Sequence, residues 1–209
     1  DCFYALNRLG AVANMVHPLC APEELRFSLQ ITQSKAILTL DSFYEKVAGV
    51  AADAVILTAR LKPELPFCKR LFYKESAGRG MDWQQLYRAN LGLPAAADDS
   101  SACACILYSG GTTGKPKGVC LSSDNINAAA LQTLRAYGRQ TFVGMKMLSV
   151  MPMFHGFGLG VGIHTPLIAG ASCILVPRFE RKSFFKLIKK VHTVIFSFSK
   201  RISSCNNCC

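Results

Sequence analysis

Residues 109–118, Ser-Gly-Gly-Thr-Thr-Gly-Lys-Pro-Lys-Gly, form the most informative stretch of the sequence. Its glycines allow the backbone to turn tightly and to bring its N–H groups close to an anion. Further hydrogen-bond donors and positive charge come from three hydroxyl and two lysine side chains: Ser109, Thr112, Thr113, Lys115 and Lys117. The stretch therefore predicts a loop that binds polyphosphate, in preference to a flexible linker.

Apolar segments flank this loop on both sides, at residues 104–108 and 119–121. The Walker phosphate loop instead opens a helix, and it needs Ser or Thr directly after its Gly-Lys pair. Here Pro116 follows Lys115 and disfavours helical backbone angles at that lysine. The sequence therefore predicts strand, loop and strand rather than strand, loop and helix.

Short apolar segments alternate with helix signals along the rest of the chain. Further strands are predicted at residues 36–40, 54–58, 147–151 and 172–176. Helices are predicted at residues 3–6, 22–34, 41–47, 81–86, 124–137, 163–168 and 184–191, with Ser183 capping the last of these. This alternation is typical of an α/β fold in which helices flank a layered sheet.

The net charge of +11 is unevenly distributed. Residues 1–100 hold eleven basic and eleven acidic side chains, whereas residues 101–209 hold thirteen basic side chains against two acidic ones. Eight of those thirteen lie between Arg178 and Arg201, where no nucleic-acid motif accompanies them and the aromatic residues are not interleaved as stacking platforms. This pattern favours an exposed face of an amphipathic helix over a nucleic-acid site.

Ten cysteines are scattered without the spacing of a disulfide framework. Six of them stand among apolar residues, where a free cysteine packs like a small hydrophobic side chain. Residues 205–209 contain one Cys-x-x-Cys pattern, but no second ligand pair for zinc accompanies it. The cysteine pattern therefore predicts a reduced, cytoplasmic protein.

No charged side chain occurs between Met147 and Pro177, a length that could span a bilayer. The segment is interrupted by prolines, histidines and several glycines, which divide it into strand, loop, helix and strand. The sequence therefore predicts no membrane span, although peripheral membrane contact stays open.

Residues 108–119 resemble the phosphate-loop signature of the adenylate-forming (AMP-binding) superfamily, which includes acyl-CoA synthetases, firefly luciferase and adenylation domains of peptide synthetases. Residues 151–158, Met-Pro-Met-Phe-His-Gly-Phe-Gly, resemble the Pro-x-Phe-His segment of the CoA-ligase branch. Weaker similarity is found at residues 7–12, 22–25, 167–171 and 175–179. The resemblance implies that residues 1–196 form part of the family's N-terminal domain. Residues 197–209 do not match its pattern, and a frameshift or gene-model error would explain this tail.

The resemblance implies a ligase that activates a carboxylic acid with ATP and Mg²⁺, forming acyl-AMP, and then transfers the acyl group to CoA. The implied substrate is a fatty or aromatic acid. The implied phosphate-binding residues are Ser109, Gly110, Gly111, Thr112, Thr113, Gly114, Lys115, Lys117 and Gly118, with Ser109 also a candidate Mg²⁺ ligand. His155 and Phe157 are the candidate acyl-pocket residues. The alternative for His155 is a structural role in holding its glycine-rich loop, and the alternative for Phe157 is packing.

Several functional segments of the family have no counterpart in the sequence: the adenine-binding segment, the Thr-Glu magnesium motif, the ribose-binding Asp, the hinge and the catalytic Lys. No catalytic residue is therefore assigned, and the chain alone is expected to be inactive. Three alternatives stay open: an amino-acid adenylation domain, a non-catalytic remnant and, more distantly, a nucleic-acid module. Amino-acid adenylation domains usually carry an aspartate-containing pattern at the position where this sequence has Phe-His-Gly-Phe-Gly. The acyl chain, the acceptor and the oligomeric state are left undetermined.

Overall fold

The structure is a computed structural model, and it describes residues 2–51, 53–65, 67–73, 80–89, 99–109, 116–138, 142–176, 187–189 and 194–196. The chain divides into two compact units. Unit 1 comprises Asp1–Met15, Asp98–Tyr108 and Val119–Cys209. Unit 2 comprises Val16–Ala97 and Ser109–Gly118.

The strands, in chain order, are β1 (Ala13–Met15), β2 (Ala36–Leu40), β3 (Val55–Ala59), β4 (Met81–Asp82), β5 (Cys103–Ser109), β6 (Lys117–Ser122), β7 (Lys146–Ser149), β8 (Ser172–Leu175) and β9 (Val194–Phe196). The α-helices are α1 (Cys2–Arg8), α2 (Pro22–Thr32), α3 (Tyr44–Ala48), α4 (Phe67–Arg70), α5 (Trp83–Arg88), α6 (Ser123–Ala136) and α7 (Thr165–Ile168). A π-helix covers Phe157–His164, and 3-10 turns cover Asp41–Phe43 and Lys62–Glu64. The predicted α/β class is confirmed.

Within the described ranges the strands form three three-stranded sheets, in the orders β1-β5-β6, β2-β3-β4 and β8-β7-β9. In the first sheet β1 runs parallel to β5, with Ala13 opposite Cys105. The second and third sheets are parallel throughout, and their registers place Ala36 opposite Val55 and Lys146 opposite Ser172. Parallel neighbours need long crossover connections, and helices supply them here.

Helix starts follow from local chemistry. At α2, Pro22 occupies the first turn with two acidic residues, and the Ala21 N–H donates to Glu24 Oε2 at 3.3 Å. At α6, Ser122 Oγ accepts from the Asn125 N–H at 3.2 Å, and Asn125 Oδ1 accepts from the Ser122 N–H at 3.0 Å. This reciprocal pair satisfies two donors that a helix N-terminus otherwise leaves unpaired.

The core of unit 1 lies around the β1-β5-β6 sheet. Its buried side chains are Ala13, Ala104, Cys105, Ile126 and Leu159. A second cluster packs Leu134 and Phe142 against Ala169 and Ala171. Both clusters draw on α6, whose buried positions 126, 130 and 134 recur at helical spacing.

Three sequence predictions are corrected. The helix expected at 163–168 begins six residues earlier, at Phe157, as a π-helix. The helix expected at 41–47 is a 3-10 turn followed by α3, and that expected at 81–86 begins with the two-residue strand β4. Four glycines at alternating positions from 156 to 162 lower the helix propensity of the segment that forms the π-helix. Burial of Leu159 overrides this effect.

The uncharged segment 147–177 divides into β7, a loop, the π-helix with α7, and β8, as predicted, with Pro177 itself outside the described residues. Among the described residues, no helix is long and apolar enough to cross a bilayer. Of the predicted basic helix, residues 187–189 are described and helical, and its cap, Ser183, lies outside the described residues.

Candidate functional site

The phosphate-loop stretch connects two strands, as the sequence predicts. β5 ends at Ser109 and β6 begins at Lys117, so the loop's last lysine already belongs to a strand. Ser109, Lys117 and Gly118 are exposed. The other predicted phosphate ligands lie outside the described residues: Gly110, Gly111, Thr112, Thr113, Gly114 and Lys115.

The histidine of the 151–158 segment stands directly before the π-helix. The Nδ1 atom of His155 accepts a hydrogen bond from the Phe157 N–H at 3.2 Å, and the His155 carbonyl accepts from the Leu159 N–H at 2.9 Å. The imidazole thus satisfies one of the donors that are free at a helix N-terminus. Since Nδ1 is the acceptor, the neutral ring carries its proton on Nε2. His155 is exposed.

The chain folds back closely on itself between Pro152 and Gly158. A Cβ atom on Gly158 would lie 2.0 Å from the Pro152 carbonyl oxygen and 3.0 Å from the Met151 carbonyl oxygen. Only glycine permits this approach without a shift of the backbone. The turn before the π-helix therefore depends on Gly158, and it fixes the direction in which the His155 backbone leaves the strand.

Packing places this segment beside β5. Leu159 is buried in the core of unit 1, in the same cluster as Ala104 and Cys105 of β5. A Cβ atom on Gly156 would lie 3.2 Å from Cδ1 of Leu107. Leu107 stands two residues before Ser109 in the same strand. The structure thus brings the histidine segment to the strand from which the predicted phosphate loop emerges.

Polar contacts hold the π-helix in place. Ser149 Oγ donates to the Gly162 carbonyl oxygen, and Thr165 Oγ1 donates to the Gly160 carbonyl oxygen at 2.8 Å. π-Helical turns are uncommon and often occur at functional sites. The Gly160 carbonyl also accepts from the Thr165 N–H, so the hydroxyl group adds a second hydrogen bond to it.

His164 lies in a polar network that the sequence does not predict. Its Nδ1 lies 3.1 Å from the Tyr4 hydroxyl group, and its Nε2 lies 2.8 Å from Asn127 Oδ1. The network joins α1, α6 and the π-helix. Burial lowers the pKa of His164, which favours the neutral imidazole. No spacing in the sequence signals a contact between residues 4 and 164.

Phe157 is half-buried at the first position of the π-helix. Its role in an acyl pocket stays a prediction, as does that of His155. Within the described residues, no group of three or more His, Cys, Asp or Glu side chains could hold a metal ion. The assignment of Mg²⁺ to Ser109 therefore also stays a prediction.

Comparison with known proteins identifies relatives over nearly the whole chain. Residues 2–202 match the family described as AMP-binding enzyme. A long-chain-fatty-acid–CoA ligase of Bacillus subtilis is 27% identical over 212 residues, covering 93% of this chain and 38% of that protein. The probable CoA ligase CCL5 of Humulus lupulus is 31% identical over 192 residues, covering 89% of this chain and 32% of that protein.

Solved structures support the same relationship. ATP-bound MatB from Rhodopseudomonas palustris superposes with a TM-score of 0.72 at 26% identity, covering 92% of this chain and 35% of MatB. The chain thus spans about a third of the length of the relatives it matches. It belongs to the AMP-binding enzyme family and corresponds to part of these larger proteins.

Proposed function

We propose that the protein containing this chain is an ATP-dependent acid–thiol ligase. In the first step a carboxylate oxygen attacks the α-phosphorus of ATP, the bond to pyrophosphate breaks, and acyl-AMP forms. In the second step the thiolate of CoA attacks the acyl carbon, and AMP leaves. The family match and the CoA ligases among its relatives support this proposal.

The contact between the histidine segment and β5 carries the proposal on the structural side. Gly156 packs against Leu107, and β5 continues from there to Ser109 at the start of the predicted phosphate loop. In-line displacement at phosphorus depends mainly on positioning and charge neutralisation. A site for this reaction therefore needs phosphate donors and a substrate-facing wall, and the proposal assigns these roles to the loop and to the histidine segment.

Each residue has a stated role in the proposal. The loop amides and hydroxyl groups hold the β- and γ-phosphates of ATP, and Lys117 neutralises their charge. Its ammonium group is exposed and thus available to a ligand. The Ser109 hydroxyl group is an exposed oxygen donor of the kind that Mg²⁺ prefers, and bound Mg²⁺ would neutralise phosphate charge. His155 presents Nε2 to the acyl substrate while Nδ1 holds the loop.

The substrate in this proposal is a fatty or aromatic carboxylic acid, and the acceptor is CoA. Names among the relatives include both a long-chain-fatty-acid and several 4-coumarate CoA ligases. The alternatives are an amino-acid adenylation domain and a non-catalytic remnant. A cytoplasmic location and the absence of nucleic acid among its partners stay predictions from composition.

ATP–pyrophosphate exchange by the natural protein that contains this sequence tests the function. Exchange stimulated by long-chain or hydroxycinnamic acids, followed by CoA-dependent thioester formation, is the expected result. Exchange with amino acids alone would indicate an amino-acid adenylation domain instead. No exchange with any acid would favour a non-catalytic remnant.

The 209-residue polypeptide by itself provides a separate test. We expect it to form no acyl-CoA, because residues equivalent to about two thirds of each relative have no counterpart in it. A thioester product from the purified polypeptide with ATP, Mg²⁺ and CoA would contradict this expectation.

A further inference from the structure

The two strands on either side of the predicted phosphate loop carry three cysteines. β5 contains Cys103 and Cys105, and β6 contains Cys120. The strands are hydrogen-bonded neighbours joined only by residues 110–116. A connection of this length joins antiparallel strands, because parallel neighbours need a crossover of a dozen or more residues.

Cross-strand geometry suits a disulfide. Neighbouring strands lie about 4.8 Å apart. Disulfide-bonded residues have Cα atoms roughly 4.4–6.8 Å apart, so facing residues of such a pair meet the requirement. Both other thiols on these strands interact electrostatically with Cys120, which, in addition to burial, raises the pKa of Cys103 and of Cys105. Cys103 and Cys120 are free thiols in the structure.

The three thiols differ in access to solvent. Cys120 is exposed and Cys103 is half-buried, whereas Cys105 is 0% exposed in the core beside Ala13. Burial raises the pKa of Cys105 to about 11 and also raises the pKa of Cys103. Since the thiolate is the reactive form, burial and a raised pKa both make Cys105 a poor nucleophile.

We propose that Cys103 and Cys120 form a redox-sensitive pair that a small disulfide, such as oxidised glutathione, converts into an intramolecular disulfide. The Cys120 thiolate attacks one sulfur of oxidised glutathione, forming a mixed disulfide and releasing one reduced glutathione. The Cys103 thiolate then attacks the Cys120 sulfur, and a second reduced glutathione leaves. The two protein thiols lose two electrons and two protons, and one glutathione disulfide is reduced to two thiols.

The product would link the first residue of β5 to β6, the two strands that flank the predicted phosphate loop. Formation of this bond does not depend on the proposed ligase activity. Reduced glutathione or a dithiol reductant reverses the same exchange. The pair is therefore a modification site whose occupancy follows the thiol–disulfide balance around the protein.

The test is oxidation of the purified protein with graded ratios of oxidised to reduced glutathione, followed by alkylation of free thiols, proteolysis and mass spectrometry. The expected product is a crosslinked peptide containing Cys120, with the protein lighter by about 2 Da for the two lost hydrogens. Tryptic cleavage after Lys117 separates Cys120 from the Cys103 peptide, and cleavage after Arg201 removes the cysteines at 205–209.

Cysteine variants identify which thiol is crosslinked to Cys120. Cys103→Ser and Cys120→Ser should each abolish the crosslink, while Cys105→Ala should retain it. Cys68→Ser is the matched control, because Cys68 is an exposed thiol elsewhere, and it should leave the yield unchanged. Three results would overturn the proposal: a crosslink that survives Cys103→Ser, glutathione that stays attached to Cys120 without a crosslink, or no oxidation at these residues at any ratio.

Discussion

The Pro152 carbonyl oxygen lies 2.0 Å from the point that a Cβ atom on Gly158 would occupy, whereas nothing lies within 4 Å of the corresponding point on Gly160. Gly158→Ala should therefore force the backbone apart and lower the free energy of unfolding by at least about 2 kcal/mol. Gly160→Ala is the matched control, and it should be neutral or stabilising by up to about 1 kcal/mol. Urea unfolding of both variants checks this pair, and equal effects would contradict the close approach.

Lys117→Ala should weaken adenylation and leave the fold intact. The side chain is exposed, so its removal costs little stability. Loss of one charge-assisted phosphate contact should cost on the order of 2–4 kcal/mol in the transition state. This corresponds to a roughly thirty- to thousand-fold slower pyrophosphate exchange. Lys146→Ala, another exposed lysine at the start of a strand, serves as the control. Exchange within about threefold of wild type in Lys117→Ala would remove Lys117 from the phosphate site.

His155 offers a way to separate a structural role from a substrate role. In His155→Asn the amide oxygen can still accept from the Phe157 N–H, so unfolding should be nearly unchanged. His155→Ala loses that acceptor and should lose about 1 kcal/mol of stability. If Nε2 faces the substrate, both variants should slow pyrophosphate exchange by about tenfold or more. Wild-type exchange in His155→Asn would leave His155 with only its loop-holding role.

The stability of the protein should fall as the pH drops below about 6.5, the unperturbed pKa of histidine. Burial lowers the pKa of His164 in the folded state, so the unfolded chain binds a proton at this residue more readily. The stabilisation of the folded state by neutral His164 is therefore fully present above pH 6.5. It decreases as the pH falls from 6.5 to the lower pKa of the folded state, and below that pKa it stays constant.

Urea midpoints measured between pH 5 and 8 check this dependence. His164→Gln should flatten the curve in the acidic range, because it removes the titrating group between Tyr4 and Asn127. His17→Gln is the control, since His17 is exposed and lies in unit 2. An identical slope in wild type and His164→Gln would show that other groups cause the acid sensitivity.

Local chemistry made much of the fold predictable from the sequence. Pro22 with two following acids and the capping stretch Ser122, Ser123 and Asp124 each mark a helix start within one residue. The apolar segments on both sides of the phosphate loop gave the correct strand–loop–strand order, since Pro116 excludes a helix there. These helix starts and this strand order depend on residues close together in the sequence, so the local residue pattern is enough to predict them.

Features that depend on distant residues could not be predicted in this way. The glycine pattern from 156 to 162 indicates a loop, yet burial of Leu159 in the core of unit 1 stabilises a π-helix. The contacts of His164 with Tyr4 and Asn127 bring together helices that are far apart in the chain. The predicted acyl-pocket residues flank Gly156, which lies against Leu107 of β5, but their role rests on family resemblance rather than on geometry.

The division of unit 1 into separate chain segments has a consequence for biosynthesis. β1 needs Cys105 and its neighbours as hydrogen-bonding partners, and these leave the ribosome about ninety residues after Ala13. The β2-β3-β4 sheet, in contrast, has all its strands once Asp82 has emerged. We therefore expect the sheet of unit 2 to form first during translation. At that stage α1 and β1 still lack the segments with which they pack and form hydrogen bonds. Residues 2–15 would thus stay accessible to chaperones until β5 has been synthesised.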